Sequence, residues 1–576
     1  MFERLEKKKI AGQSYYYYSQ WGWVNGKCRR LWQRYLGKAK DIAAAVEGGG
    51  PAPRCAEIFD WGLPQALWQV ARRLRVASII ERLCPKRRQG LSTGEYLTIA
   101  ALNRAIAPCS KRSMWEWFSS TVLVRLFPGA SQAALSSQRF WDHMGRVDRA
   151  SARSVWKEIL TGVIEREPID LSSICYDGTN FYTFIDTFNV RCKIAKRGKN
   201  KQGRNNLRQI NYALFCCAEG RIPLYYELYD GNRNDAGHFP KALANFARFF
   251  GELTKHKQSA PGSTLIFDKG NNSADNLALV DELNLDFVGS VKNDEHKELA
   301  CIPNDDKRLK PCQTPELEGV RAFRTTKEIY GKERTVVVTF NDNLHQAQCR
   351  TVENDIAKVL EKLSTLQQRL RDRTAGRIRG GRAPTLESVR KQCEGALHRP
   401  FLKQIITVDI KEGQGEKATP ELRYQIDAGA REEIFNTYLG KNILISSHEN
   451  WSNEKIIRAY RSQYQIEEVY KQMKERHCGP WWPLNHWTDQ MIEVHGLYCT
   501  IAVLMRGLMM RQIQAAGINL SLGRAMKELA AIREVVNIYP AARRKKNETR
   551  QVVLSRLNKV QEKLMRALDL TPKTDV

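Results

Sequence analysis

Thr264-Leu265-Ile266-Phe267-Asp268-Lys269-Gly270 is a short apolar run that ends on a carboxylate, with a glycine two residues on. It is too short for a helix, and its β-branched and aromatic content bounded by turn residues predicts a buried strand. An acid at the end of such a strand is held rigidly, with its carboxylate at the rim where open α/β sheets bind ligands. Ile174-Cys175-Tyr176-Asp177-Gly178 has the same form. Further apolar runs at 211–217, 223–228 and 287–291, with a helical stretch at 273–283, predict an α/β sheet in which strands and helices alternate. A single strand-end Asp is usually a cap for the next helix. Two in one sheet make Asp177 and Asp268 candidate metal ligands.

Upstream, residues 63–168 read as helical, and Leu91-Ser-Thr-Gly-Glu-Tyr-Leu97 supplies a helix start. This region carries Arg72, Arg73, Arg75, Lys86, Arg87, Arg88, Lys111 and Arg112, which suits a basic helical DNA-binding domain at 51–168. Ahead of it, Ser14-Tyr-Tyr-Tyr-Tyr18, Trp21-Gly-Trp23, Asn25-Gly26 and residues 29–36 predict a β-hairpin region at 1–50. Its Tyr run, with Lys7 to Lys9 and Arg29-Arg30 nearby, suits either contact with DNA or packing within its own domain. Gly48-Gly-Gly-Pro-Ala-Pro53 has the composition of a linker.

The chain has 92 Lys and Arg against 63 Asp and Glu, a net charge of +29, which favours a polyanionic partner. Its 42% hydrophobic and 27% charged residues are the balance of a folded, soluble protein of several domains. The first twelve residues lack the apolar core of a signal peptide. The most apolar stretch, 497–510, is broken by Arg506 and predicts a buried helix rather than a membrane span. A cytoplasmic, nucleoid-associated location is expected. The 14 cysteines include no C-x-x-C pair, which predicts reduced thiols rather than disulfides or zinc sites.

Downstream of the sheet, residues 297–440 break its rhythm. They hold β-prone runs at 320–325, 334–340 and 404–410, and a long helix with Val352, Ile356, Val359, Leu363, Leu366 and Leu370 at helical spacing. That helix runs into the glycine-interleaved Arg369, Arg371, Arg373, Arg377, Arg379 and Arg382, suited to a solvated loop or to phosphate contact. Next comes Tyr460-Arg-Ser-Gln-Tyr-Gln-Ile-Glu467-Glu-Val-Tyr-Lys-Gln-Met-Lys474. At 3.6 residues per turn one helix would carry Tyr460, Gln463, Glu467 and Lys474 on one face, beside an apolar stripe of Ile466, Tyr470 and Met473. Glu468 points about 100° away from that face. A basic helical region is expected at 516–576, including Arg543-Arg-Lys-Lys546.

The segment resembles the Tyr-x2-Arg-x3-Glu-x6-Lys signature of DDE transposases of the IS-four type, from bacterial insertion sequences, at Tyr460, Glu467 and Lys474. The resemblance extends to Asp177-Gly178-Thr179, to Gly231-Asn232 with Asp235 after Pro223-Leu224, to Ile266-Phe267-Asp268-Lys269-Gly270, and to His486-Trp487 through His495. The stretch from Lys8-Lys9 to Gly37 resembles the opening of one branch. One position departs: Gln463 stands where the signature has Arg, so one charged phosphate clamp is missing, with Arg461 two residues away. Tyr464 offers a stacking face.

The resemblance implies a multidomain α/β protein. Its RNase H-like mixed-sheet core (169–296 and 441–515) would be interrupted by a β-containing insertion (297–440) and preceded by the helical N-terminal domain. It implies catalytic and metal-binding roles for Asp177, Asp268 and Glu467, with two Mg2+ ions for which Mn2+ substitutes. Tyr460, Arg461, Gln463, Tyr464 and Lys474 would bind DNA. The expected partners are double-stranded DNA, as terminal inverted repeats and target, and a second copy in a homodimeric synaptic complex. An RNase H-fold nuclease that cuts without joining, and a non-catalytic DNA-binding relative, are the alternatives.

Overall fold

The apolar runs that lead to Asp177 and Asp268 lie side by side in the computed structural model, as parallel strands of one ten-stranded mixed sheet. Residues 2–24, 26–47, 53–86, 90–254, 262–413, 419–539 and 549–572 are described. Asn25 of the expected turn, residues 48–52 of the expected linker, Arg87, Arg88 and the basic run 543–546 lie outside the described residues.

Ser173–Tyr182 pairs parallel with Thr264–Phe267, which pairs parallel with Asp286–Val291. On its other side Ser173–Tyr182 pairs antiparallel with Arg208–Cys217, and that strand with Pro223–Asp230. These strands are buried on both faces, as expected when helices cover both sides of a sheet. Asp235–Thr254 lies on one face, with Phe239 on Tyr176 and Phe246 stacked on Phe215 at 4.1 Å between centroids. The other face receives the helix Asp489–Ala515, where the Thr500 and Tyr212 hydroxyls are hydrogen-bonded at 2.9 Å. This is the one helix among the described residues long and apolar enough to span a bilayer, and it is largely buried in protein instead. Arg506 within it is 1% exposed and satisfied by the carbonyls of Arg104, Ala105 and Cys478. Burial lowers its pKa to about 10.

The expected helix start at Ser92 is present as a reciprocal capping box with Glu95, opening Thr93–Ile106. That helix is buried almost throughout, and Arg104 within it donates to the carbonyls of Trp482 and Pro483.

The stretch 297–440, expected to stand apart from the sheet, divides in two. Val320–Ile329 and Lys332–Asn341 form a hairpin that extends the main sheet, and Lys441–Ser446 inserts between Lys332–Asn341 and Asp286–Val291. Tyr330 and Gly331, both at positive φ, make the two-residue turn that matches the strands' twist. Lys332–Asn341 is buried over seven consecutive residues, the pattern of a central strand, which periodicity alone does not distinguish from one in a separate domain. The remainder has its own core. Val352, Ile356, Val359, Leu363 and Leu370 of the 33-residue helix Asp342–Thr374 pack with Val389, Leu402, Ile406 and Leu422.

A second compact unit comprises Met1–Gln69, Trp115–Ala130 and Gln512–Val576. In it Phe2–Ile10, Gln13–Val24 and Lys27–Lys38 form a three-stranded antiparallel sheet, one strand more than the expected hairpin, followed by the helix Ala39–Glu47. The C-terminal region, expected to be helical, has the helices Leu522–Ala530 and Lys559–Ala567, and also two strands. Arg533–Tyr539 pairs with both Thr549–Leu554 and Cys55–Asp60. The alternating Val536 and Ile538 are buried, in a strand whose partner Cys55–Asp60 no local signal in the sequence announces.

Leu363→Ala removes a side chain 1% exposed at the centre of the insertion's own core and is expected to cost about 2–5 kcal/mol there. Hydrogen exchange should then accelerate across residues 342–426 while the strands around Asp177 stay protected.

Candidate active site

Tyr176 pairs with Phe267 across the two parallel strands, so the next residues, Asp177 and Asp268, emerge together where the shorter strand ends. Asp268 is a strand-end residue, as expected. Asp177 is not: it sits mid-strand in Ser173–Tyr182, which runs on past it paired with Arg208–Cys217. The glycine after it is therefore no turn residue. A Cβ on Gly178 would lie 3.0 Å from Asp235 Cγ and 3.2 Å from the Tyr229 hydroxyl, so Gly178 makes room for a fourth acid beside the strand.

Asp177 is half-buried, and its Oδ1 accepts from the Gly178 N–H at 2.7 Å. Burial raises its pKa to about 6, with the Asp235 and Asp268 charges adding to the rise and Lys201 and the Gly178 N–H opposing it. Asp268 Oδ1 accepts from the Lys269 N–H at 2.7 Å and, at 3.4 Å, from the Tyr460 hydroxyl. Tyr460 also meets Ser290 Oγ at 2.7 Å. Burial pushes its pKa to about 12, the Asp268 and Glu467 charges adding to the rise, so the phenol stays protonated as a donor.

The segment 460–474 is not one helix but two, Asn453–Arg461 and Tyr464–Lys474. At the junction the Ser462 hydroxyl bonds the Ala459 carbonyl at 2.6 Å, and Gln463 N–H reaches Tyr460 O. These tight bonds back into the helix break its run at Ser462-Gln463. Tyr460 and Glu467 thus come from different helices and still face one pocket. Asp268, Tyr460, Arg461, Gln463, Tyr464 and Glu467 line one pocket. Ile466, Val469, Tyr470 and Met473 are buried, the expected docking stripe with one added residue, and the Tyr470 hydroxyl donates to the Asp177 carbonyl at 2.6 Å. Glu468 does not line that pocket; it pairs with Lys471 at 2.6 Å.

Lys474 reaches Thr179 Oγ1 at 2.5 Å on the Asp177 strand, and its ammonium lies over the Phe181 ring. Burial and the Lys201 charge lower its pKa to about 8 against the pull of Asp177 and Asp235. Lys201 donates to the Gly178 carbonyl at 2.6 Å and pairs with Asp235 at 3.2 Å, and Tyr229 donates to Asp235 at 2.6 Å. Among the described residues no three His, Cys, Asp or Glu side chains stand at chelating distance of a single point. The Asp177 and Asp268 carboxylates each turn toward the backbone N–H of the next residue.

The family described as the transposase DDE domain matches residues 170–505, more than half of the chain. The chain belongs to this family. The DDE domain begins just ahead of the Asp177 strand and ends within the helix Asp489–Ala515, so it includes Asp177, Asp268 and Glu467. Two solved structures are similar to the chain. A piggyBac transposase synaptic complex with hairpin DNA is 12% identical, with 84% of this chain and 81% of that one covered, at a TM-score of 0.37. A Mos1 transposase paired-end complex with its left transposon end is 14% identical over 35% of this chain and 60% of that one, at a TM-score of 0.15. No curated protein matches the sequence.

The residues around Asp177 and Asp268 that sequence reasoning left without a role are Asp235, Lys201, Tyr229 and Ser290. Asp235 belongs to the resemblance, and its proximity to Gly178 was the missing link. Lys201 lies in a run of cations, 196–204, with nothing local to single it out.

Asp177→Asn tests the electrostatics. A folded-state carboxyl pKa raised above the unfolded value means that the folded state holds its proton more tightly. Ionisation therefore costs stability progressively as pH rises from about 4 to about 6, and in full above that. In EDTA the variant is expected to melt higher than the parent at pH 7.5 and at the same temperature below pH 4. Equal melting at both pH values would contradict it.

Proposed function

We propose that the chain is the transposase of a bacterial insertion sequence, cutting and joining DNA at an RNase H-like centre made by Asp177, Asp268 and Glu467. The observation that carries this reading is the adjacency of Asp177 and Asp268 on neighbouring parallel strands, with Glu467 in the pocket that Asp268 lines. The three-stranded antiparallel meander continued by two parallel strands supports the RNase H-like reading.

Three carboxylates without His or Cys form a hard oxygen donor set that fits Mg2+, with Mn2+ as a substitute. Asp177, Asp268 and Glu467 would hold the two ions. When bound, the ions supply Lewis acidity at the scissile phosphate for hydrolysis and strand transfer. The residues do the rest. Asp177 gives up its proton above about pH 6 and becomes a full donor. Tyr460, held by Ser290, orients Asp268 and offers its hydroxyl to phosphate. Lys474 is fixed on Thr179 beside Asp177, where its ammonium would meet a phosphate of bound DNA.

Arg461, Gln463 and the 52%-exposed Tyr464 extend the pocket along a DNA strand, Tyr464 by stacking. Tyr460, Glu467 and Lys474 take the places of the IS-four signature, and Gln463 that of its arginine. The substrates are terminal inverted repeats and target DNA, brought together by a homodimer on the nucleoid in the cytoplasm.

With end DNA and Mg2+, the parent is expected to cleave and to join. Asp177→Ala, Asp268→Ala and Glu467→Ala should each fall below about one-thousandth of its rate, and Glu468→Ala should remain active. Cleavage retained by all three folded variants would refute the assignment. Cleavage without joining in the parent would identify a nuclease instead.

Tyr460→Phe keeps the ring and removes the hydroxyl that meets Asp268 and Ser290, so a loss of about 10–100-fold in activity is expected. Unchanged rates at limiting Mg2+ would show that the hydroxyl plays no part.

A further inference from the structure

Among the described cations of the helical region 70–114, four are engaged within the protein. Arg104 bonds carbonyls, Lys111 is buried against Tyr498, Arg73 pairs with Glu167, and Arg82 pairs with Glu158. The N-terminal sheet is different. Residues 2–38 hold nine Lys and Arg against two Glu. Their strands bear Phe2, Leu5, Ile10, Trp23, Leu31, Trp32 and Tyr35 at 41–73% exposure, far from the buried face of an ordinary small sheet.

Register sorts the side chains, because residues directly paired across strands share a face. Lys7 pairs with Tyr16, Leu5 with Tyr18 and Tyr18 with Arg34, Gln20 with Trp32, and Gly22 with Arg29. One face therefore carries Tyr16 and Tyr18 on its central strand, with Trp32 beside them on an edge strand. Lys7 and Lys9 come from one edge strand and Arg29 and Arg34 from the other. Tyr18 and Trp32 contact edge to face at 5.6 Å between centroids. Among the described residues none of these four cations forms an ion pair or a side-chain hydrogen bond, and all four are exposed. On the opposite face Lys8, Arg30 and Lys38 lie over Tyr17, Trp21 and Tyr15.

We propose that this face binds duplex DNA, with the sheet laid in the major groove and the edge-strand cations on the phosphates of the two flanking strands. The dimensions fit. Outer strands of a three-stranded sheet lie about 10 Å apart, close to the roughly 12 Å width of the groove. Strands of this length run about 40 Å, a little more than one helical turn of about 34 Å. Free cations on both edges, with Tyr16 and Tyr18 between them and one acid, Glu3, bonded to the Tyr18 hydroxyl, match a groove whose rims are anionic and whose floor is polar and apolar by turns. The proposal concerns a surface other than the DDE acids and holds whether or not they cut DNA.

Fluorescence anisotropy of the full chain in EDTA, with a labelled 30-base-pair duplex across a salt series, tests it without cleavage. The Lys7→Ala/Lys9→Ala/Arg34→Ala variant is expected to bind more weakly. The slope of log affinity against log salt should shrink by about 2.7, at roughly 0.9 per lost phosphate contact. An unchanged slope would overturn the proposal, as would binding of a single strand of equal length more tightly than the duplex. Should the triple variant not fold, acetylation of the parent protein read by mass spectrometry decides the matter. Lys7 and Lys9 should be protected by the duplex, and equal labelling with and without DNA would overturn the proposal.

Discussion

The parallel pairing of Tyr176 with Phe267 is the constraint on which the candidate site depends. It sets two aspartates side by side at the end of a buried strand, where neither can move far from the other. Both strands are covered on two faces, so a slip of one residue would drive an aspartate into the apolar layer and expose an aromatic ring. The cost of this arrangement is visible at Asp177, whose carboxyl burial and acidic neighbours hold well above its usual range. Lys201 and Lys474 stand on either side of the same strand and temper that cost from the carbonyl of Gly178 and the hydroxyl of Thr179.

Glu467 arrives from far along the chain, and the sheet itself brings it back. The hairpin Val320–Ile329 and Lys332–Asn341 extends the sheet before the chain leaves for the insertion core, and Lys441–Ser446 returns between strands already laid down. A strand locked on both sides fixes where the next helices start. The break at Ser462-Gln463 then turns Tyr464–Lys474 so that its buried stripe meets the Asp177 strand and Tyr470 caps the Asp177 carbonyl. The insertion can carry a core of its own because its two ends are held by the main sheet.

What was legible in the sequence was what local chemistry encodes. The apolar strands that lead to Asp177 and Asp268, the apolar spacing of Val352 to Leu370, the capping box at Ser92 and the docking stripe at Ile466, Tyr470 and Met473 all follow from periodicity or from cap geometry. What escaped was set by remote partners. Lys332–Asn341 looks like any apolar run until its neighbours show it to be central. Arg533–Tyr539 becomes a strand because Cys55–Asp60 offers an edge. Gly178 looked like a turn and is instead space for Asp235. The unbroken helix expected over 460–474 failed at a serine whose hydroxyl competes for the backbone, an effect of a single side chain that average periodicity does not register.

Asp177, Asp268 and Glu467 are proposed to converge on divalent cations. Iron-directed backbone cleavage tests it most directly: the folded chain is loaded with Fe2+ in place of Mg2+, treated with ascorbate and peroxide, and the cut sites are mapped by mass spectrometry. Cuts are expected to cluster beside all three acids and to be suppressed by excess Mg2+. Cuts that miss the Glu467 helix, or that cluster elsewhere and ignore Mg2+, would contradict it.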